Sequence, residues 1–343
     1  MTVTTWQGAP PAGRLIFVGG VHEALPALAA LLNGPAEVVE VVTLPPGRAG
    51  TSGFVDLEPL ASAYGARVRR CADLNAADSV EQVRRQAPDL IVVAGWTRLL
   101  SAELLAVPRR GCVGFHASLL PRFRGRAPVN WAILRGETVT GNTMMYLDAG
   151  ADTGDIIDQR AVPIGPGDTC ATVYARVADA GAGMLRRHLL ALLAGTAPRR
   201  AQGPPDGPPL ARRTPAMGIT DWDRPARAVH DWIRALTLPY PGAFTFWAGR
   251  QVMLWASDGP RDGTRGAPGE VLSRGADGLR VGTAGGSVLV TSVSYAGAAP
   301  EPAGAWARRN GLRAGARFER VDRMTAAWAL GLGPEPRLAP VAG

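Results

Sequence analysis

The order of apolar segments predicts an α/β domain built on a parallel sheet, followed by a small β-barrel domain. Three observations carry this. Continuous apolar runs rich in branched residues alternate with alanine- and leucine-rich helical stretches up to residue 195, the pattern of a parallel sheet covered on both faces. A proline-rich stretch at 197–215 then interrupts the chain with Pro204, Pro205, Pro208, Pro209 and Pro215. Beyond it, short strand-like runs recur between glycine turns, as in a small barrel.

The first strand is RLIFVGG at 14–20, ending in a glycine turn, and a helix follows over 22–32. Strands are expected at 37–44, 67–70, 89–94, 112–115 and 144–147, with helices over 57–64 and 80–86. The opening glycines do not form GxGxxG, so a dinucleotide site has little support. Residues 117–127 form a loop rich in Pro, Arg and Gly, and Pro128 suits the first turn of a short helix over 129–134. A long helix spans 170–193. After the linker come a helix over 225–236 and strands at 243–247, 251–256, 269–272, 279–283 and 287–293. The expected domains are 1–195, a linker 196–217, a barrel-like domain 218–320 and a tail 321–343, whose end at 333–343 reads as frayed.

The net charge is +8, and all 37 basic side chains are arginine, a balance that favours anionic partners. Three widely spaced cysteines (Cys71, Cys112 and Cys170) form neither a disulfide framework nor a metal-ligand pair, which predicts a reducing, cytoplasmic setting. The four histidines are too scattered for a zinc site, and no run is long and apolar enough to span a membrane. Nothing in the sequence speaks to oligomeric state.

The chemistry concentrates in three pieces: His116 with SLLP (Ser118, Leu119, Leu120, Pro121), RGRAP at 124–128, and DAGADTGDI at 148–156. His116 stands just past an apolar strand, where open α/β sheets bind ligands, and histidine is the side chain best suited to exchange protons near neutral pH. Asp152 sits in a loop flanked by Gly150 and Gly154, where the backbone can bring a carboxylate beside the imidazole. Taken singly, His116 reads as a structural histidine and Asp152 as a turn residue.

Together, the run from His116 to Ile157 closely resembles the formyltetrahydrofolate-dependent formyltransferases, whose acceptors include aminoacylated initiator tRNA and nucleotide-linked amino sugars. GITDWDRPARAVHDWIRALTLPYPGAFTFWAGR at 218–250 and GAPGEV at 266–271 are similar to the family's C-terminal domain, so the likeness covers roughly 14–318. The resemblance implies a Rossmann-like catalytic domain, an OB-like second domain and N10-formyltetrahydrofolate as donor. It makes His116 the catalytic histidine and Asp152 its partner. It places Ser118, Leu119, Leu120 and Pro121 in the turn near the folate, with Gly125 letting that loop pack closely. Arg126 matches a position tied to cofactor or substrate, and Leu99 and Leu100, with Asp148, Ala149, Gly150 and Ala151, would line the pterin slot. Arg122 reads as a basic rim.

One position departs from the family pattern. Where the family carries asparagine two residues before the histidine, this chain has Gly114. Loss of one such oxyanion donor costs about 10²–10³ in rate in other enzymes. Three accounts stand open: another donor such as Asn142 or Asn130, a backbone N–H or a water compensates; the glycine makes room for a larger group; or the chain binds ligand without turnover.

The segment at 45–53 is short, carries only Arg48 as a charge and runs into Asp56 and Glu58, a poor surface for phosphates. It therefore favours a small-molecule amine as acceptor, such as a nucleotide-linked amino sugar or natural-product precursor, with methionyl-tRNA as the alternative. The aromatic residues Trp232, Tyr240, Phe244, Phe246, Trp247 and Trp255 suit core packing better than base stacking.

Overall fold

The computed structural model describes residues 12–48, 53–263 and 266–336. Part of the 45–53 segment, and 337–343 of the expected frayed end, lie outside the described residues. The described residues fall into two compact units, one drawn from Met1–Pro128, Val139–Pro163 and Thr172–Pro209, the other from Val129–Thr138, Ile164–Ala171 and Leu210–Gly343.

The first unit contains β1 (Arg14–Val18), α1 (Ala24–Leu32), β2 (Glu37–Thr43), α2 (Glu58–Ala63), β3 (Val68–Arg70), α3 (Ala77–Arg85), β4 (Leu90–Val93), α4 (Ala102–Leu105) and β5 (Cys112–His116). Helix α5 (Pro128–Leu134) belongs almost wholly to the second unit; β6 (Val139–Tyr146), β7 (Ile156–Pro163) and most of α6 (Cys170–Ala194) return to the first. The seven strands lie in the order β3-β2-β1-β4-β5-β6-β7. Strands β1 to β5 pair in parallel, so the chain doubles back at β1/β4, and each strand alternates its side chains between two cores. Leu15, Phe17 and Val113 pack with Leu28 and Leu31 of α1 and Met184, Leu185 and Leu189 of α6. Ile16, Val18, Ile91 and Cys112 pack on the other face with Val80, Val83 and Leu104.

The sheet differs from the expectation at one edge. Strands β6 and β7 run antiparallel, β6 starts five residues earlier than expected, and β7 was not expected at all. As an edge strand with several polar, partly exposed residues, β7 lacks the continuous apolar run that marked the others.

The second unit contains α7 (Ala226–Leu236), β8 (Ala243–Trp247), β9 (Arg250–Asp262), β10 (Val271–Arg274), β11 (Leu279–Thr283), β12 (Gly286–Tyr295), β13 (Glu301–Pro302), α8 (Ala303–Arg309) and α9 (Arg323–Ala329). Its antiparallel sheet has the order β10-β11-β12-β9-β8, with β13 on β12. Register shifts along the β9/β12 ladder bend these long strands, while among the described residues no ladder joins β8 to β10. Trp222 stacks on Phe318 at 5.6 Å, and Trp232 and Phe244 are buried as core residues. Within α7 the buried Asp231 pairs with Arg234 at 2.7 Å and with Arg227 at 3.0 Å.

The two compact units divide the chain differently from the limits read in the sequence, in two places. Helix α5 groups with the second unit, where Trp131 donates through Nε1 to the Ala211 carbonyl (3.1 Å) and Asn130 donates to the Ala235 carbonyl (2.6 Å). The expected tail begins with α9, capped by Asp322, whose side chain accepts from the N–H groups of Met324 and Thr325.

Candidate active site

His116 ends β5. Val113 and Phe115 face α1 and α6, so Gly114 and His116 face the opposite side of the sheet. The imidazole is buried, with an oxygen at each nitrogen: Nδ1 lies 3.3 Å from Asp152 Oδ1 and Nε2 lies 2.8 Å from the Phe123 carbonyl. A neutral ring carries one N–H and so serves one of these acceptors at a time.

Asp152 arrives by a fold-back. Strand β6 ends beside the start of β5, where the Leu147 N–H donates to the Cys112 carbonyl (2.8 Å). The 148–155 loop must therefore run back along roughly 13 Å of strand to reach His116. Asp148 turns it, accepting from the Gly150 N–H (3.0 Å) and the Thr153 hydroxyl (2.7 Å). Gly154 is required by space, since a Cβ there would sit 1.8 Å from the Tyr146 carbonyl oxygen. Asp152 itself has φ +58°, and its Oδ2 accepts from the Gly125 N–H at 2.9 Å. Burial pushes its carboxyl up, but the hydrogen bond and charge of His116, the Gly125 N–H and the Arg124 charge together outweigh burial and hold it below the usual carboxylate range.

The loop after His116 is pinned from below. Ser118 is fully buried and donates to the Arg122 carbonyl (2.7 Å). Thr143 of β6 donates to the Ser118 carbonyl (2.7 Å) and accepts from the Leu120 N–H (3.1 Å), while Gln159 donates to the Leu120 carbonyl (2.8 Å). Leu120 packs with Met145 and Ile156, the Leu120–Pro121 peptide is cis, and Leu119 lies over Gly141, where a Cβ would approach it to 2.4 Å. Phe123, Ala127 and Asp152 are three of the five non-glycine residues at positive φ among the described residues, which concentrates backbone strain around His116.

The remaining expected residues divide. Leu99 is 58 % exposed, whereas the Leu100 side chain is buried in the core with Ile91 and Leu104. Ala149, Gly150, Ala151 and Arg126 are exposed. Arg122 pairs with Asp206 at 3.1 Å. Cys112 and Cys170 have thiols pushed up to about 12 by burial, the state of inert core cysteines rather than nucleophiles.

The two side-chain amides considered for the place of the missing asparagine make hydrogen bonds elsewhere. Asn142 lies on the α6 face of the sheet and donates to the Val177 carbonyl (2.8 Å), so its amide is turned away from His116. Asn130 donates to the Ala235 carbonyl (2.6 Å) in the second unit. Nor does the glycine leave open room: Leu147 covers it, and a Cβ there would meet Leu147 Cδ2 at 2.7 Å.

One residue of this site went unnoticed in the sequence. Gln202, in the supposed linker, donates through Nε2 to the carbonyls of Asp152 (3.1 Å) and Gly154 (2.7 Å). Its Oε1 accepts from Arg124 Nε (3.2 Å) and Nη2 (2.7 Å). A glutamine among prolines has no sequence signal of its own; only the return of the chain to the site reveals it.

With this geometry in place, comparison with known proteins is decisive for the family. The formyl transferase model matches residues 15–189, and the model of the formyl transferase C-terminal domain matches 213–311. The chain belongs to the formyl transferase family. This formyltransferase is 38% identical over 291 residues to the methionyl-tRNA formyltransferase of Geobacter sulfurreducens, covering 83% of this chain and 90% of that one. It is 37% identical over 299 residues to that of Moorella thermoacetica, covering 85% and 95%. Among solved structures, the N-formyltransferase from Helicobacter canadensis, in complex with folinic acid and dTDP-3-aminofucose, matches with a TM-score of 0.64 at 18% identity, over 80% of this chain and 98% of that one. HypX from Aquifex aeolicus in complex with tetrahydrofolic acid matches with a TM-score of 0.62 at 20% identity over 88% of this chain, which spans about half (47%) of HypX. At these identities the structural likeness is one of fold. No helix of the described residues is long and apolar enough to cross a membrane.

Proposed function

We propose that this formyltransferase moves the formyl group of N10-formyltetrahydrofolate onto the α-amino group of methionyl-tRNA. The observation that carries the acceptor is continuous likeness across both units to methionyl-tRNA formyltransferases. It outweighs the preference for a small-molecule amine drawn from the short 45–53 segment, because the structural neighbour holding an amino sugar is only 18% identical. That small-molecule reading ranks second.

The residues present suit the donor. Exposed Leu99 offers an apolar face, and the loop at 148–151 offers backbone groups for the polar rim of a pterin. When bound, N10-formyltetrahydrofolate supplies an activated one-carbon unit. Asp152 Oδ1 holds a proton on His116 Nδ1 in the working state, and Nε2, once turned from the Phe123 carbonyl that it meets in the free protein, takes the proton that the attacking amine sheds and passes it to the leaving nitrogen. The new C–N bond would form at the formyl carbon as the old one breaks, with the proton from His116 going to the nitrogen released. Burial of His116 keeps bulk water from this exchange.

Mass spectrometry after incubation with N10-formyltetrahydrofolate, methionyl-tRNA and a panel of amino sugars tests the assignment. The expected product is formylmethionyl-tRNA, with turnover reduced by about 10²-fold or more in His116→Ala and Asp152→Ala at retained fold. Formylation of an amino sugar alone would transfer the assignment to the second reading; full turnover in both variants would remove the mechanism.

A further inference from the structure

Gln202 occupies a particular place among the groups around His116. The two oxygens that meet the imidazole come from different loops: Asp152 from 148–155 and the Phe123 carbonyl from 117–127. One side chain ties these loops together from outside, because the Gln202 amide nitrogen donates to the Asp152 and Gly154 carbonyls while its oxygen accepts two N–H groups of Arg124. Arg124 adjoins both Phe123 and Gly125, and the Gly125 N–H holds Asp152 Oδ2.

The segment bearing Gln202 is itself clamped. Arg200 exchanges two backbone hydrogen bonds with Ile156 (2.8 and 3.0 Å), and its guanidinium donates to Gln159 Oε1 (2.8 Å). Gln159 in turn donates to the Leu120 carbonyl and to Thr143 Oγ1. Farther along, Asp206 pairs with Arg122. The stretch from Arg200 to Asp206 is thus a strap over both loops, anchored on either side of Gln202.

We infer that Gln202 is a positioning residue for the transfer reaction: it holds Asp152 in its strained, positive-φ conformation against His116 and sets the spacing between the two loops. It touches neither imidazole nor carboxylate and acts through the backbone of Asp152 and through Arg124. A backbone at φ +58° persists only where its surroundings dictate it, and the two carbonyl contacts on either side of Thr153 are part of what dictates it here. The inference rests on the proposed roles of His116 and Asp152.

The test uses the full chain with Gln202→Leu, which removes all four hydrogen bonds at similar volume. Gln202→Glu is the companion variant: it keeps an acceptor for Arg124 but turns an oxygen toward the Asp152 and Gly154 carbonyls. Two readings are taken, the ¹³Cγ titration of Asp152 by NMR, which needs no acceptor, and kcat against KM for the folate donor. In both variants the Asp152 carboxyl is expected to titrate higher than in the parent, by about half a pH unit or more, as it loses alignment with His116 and the Gly125 N–H. Turnover falls by about tenfold or more with KM little changed, because misplacement of this kind costs rate rather than donor binding. An unshifted Asp152 titration in both folded variants would overturn the inference. A shifted titration with unchanged turnover would overturn it too, since the alignment would then not matter to the reaction. Failure of the functional reading is separable: the parent would transfer no formyl group, while the titration difference would still be measured.

Discussion

At Gly114 the chain lacks the side-chain amide that the family resemblance expects, and Leu147 covers the position. Leu147 lies on the glycine, joined to both the core beneath and the Leu120–Met145–Ile156 group. Restoring asparagine alone forces that leucine aside. Gly114→Asn is therefore expected to lose about 1–3 kcal/mol of stability through overpacking and to gain no rate. Pairing it with Leu147→Ala frees the space, and single-turnover kinetics should then show faster formyl transfer than either single variant. No gain from the pair would mean that this site stabilises the oxyanion by other means. The residue types His116 and Asp152 were legible from their motifs, but Gln202 was not, because its role is made entirely of contacts to backbone and to an arginine 78 positions away.

The fold-back of the 148–155 loop is the element on which the site depends. Parallel strands put their carboxyl ends on one side of the sheet, and His116 follows that rule; Asp152 does not, because β6 runs antiparallel and delivers its loop to the wrong end. The loop reaches the histidine only by lying back along the strand, which the Asp148 turn and the small Gly154 make possible. Gly154→Ala places a methyl group against the Tyr146 carbonyl, within 1.8 Å of its oxygen before relaxation. This variant should lower the unfolding midpoint and reduce turnover together, since the loop cannot give way without carrying Asp152 from His116. Normal activity at unchanged stability would show that the loop tolerates another path. Strand β7 went unread in the sequence because an antiparallel edge strand, partly polar and partly exposed, has no continuous apolar signature.

Across the whole molecule, the two units and the net charge of +8 bear on the acceptor. Arginines that neutralise tRNA phosphates release counterions, so binding of methionyl-tRNA should weaken by about tenfold or more between ~50 and ~200 mM salt. Filter binding or fluorescence anisotropy of labelled tRNA measures this directly. A salt-independent affinity would count against tRNA and for a small amine. The second unit also recruits α5 and 164–171 from the middle of the catalytic sequence, so its folding cannot be assigned to the C-terminal stretch alone.

What the sequence alone determined was the alternation of strand and helix, the short strands of the second unit and the family's motif residues, because periodicity and local spacing are properties of contiguous chain. It left the places of Asn142, Leu100 and the linker open for one reason. Which face of the sheet a side chain occupies, whether a loop runs forward or folds back, and which distant segment returns to cover it are settled by the register of β5 against β6 and by the packing of side chains far apart in sequence. The sheet's two-residue alternation turns Asn142 toward α6 and His116 toward Asp152, and only the assembled strands decide which is which.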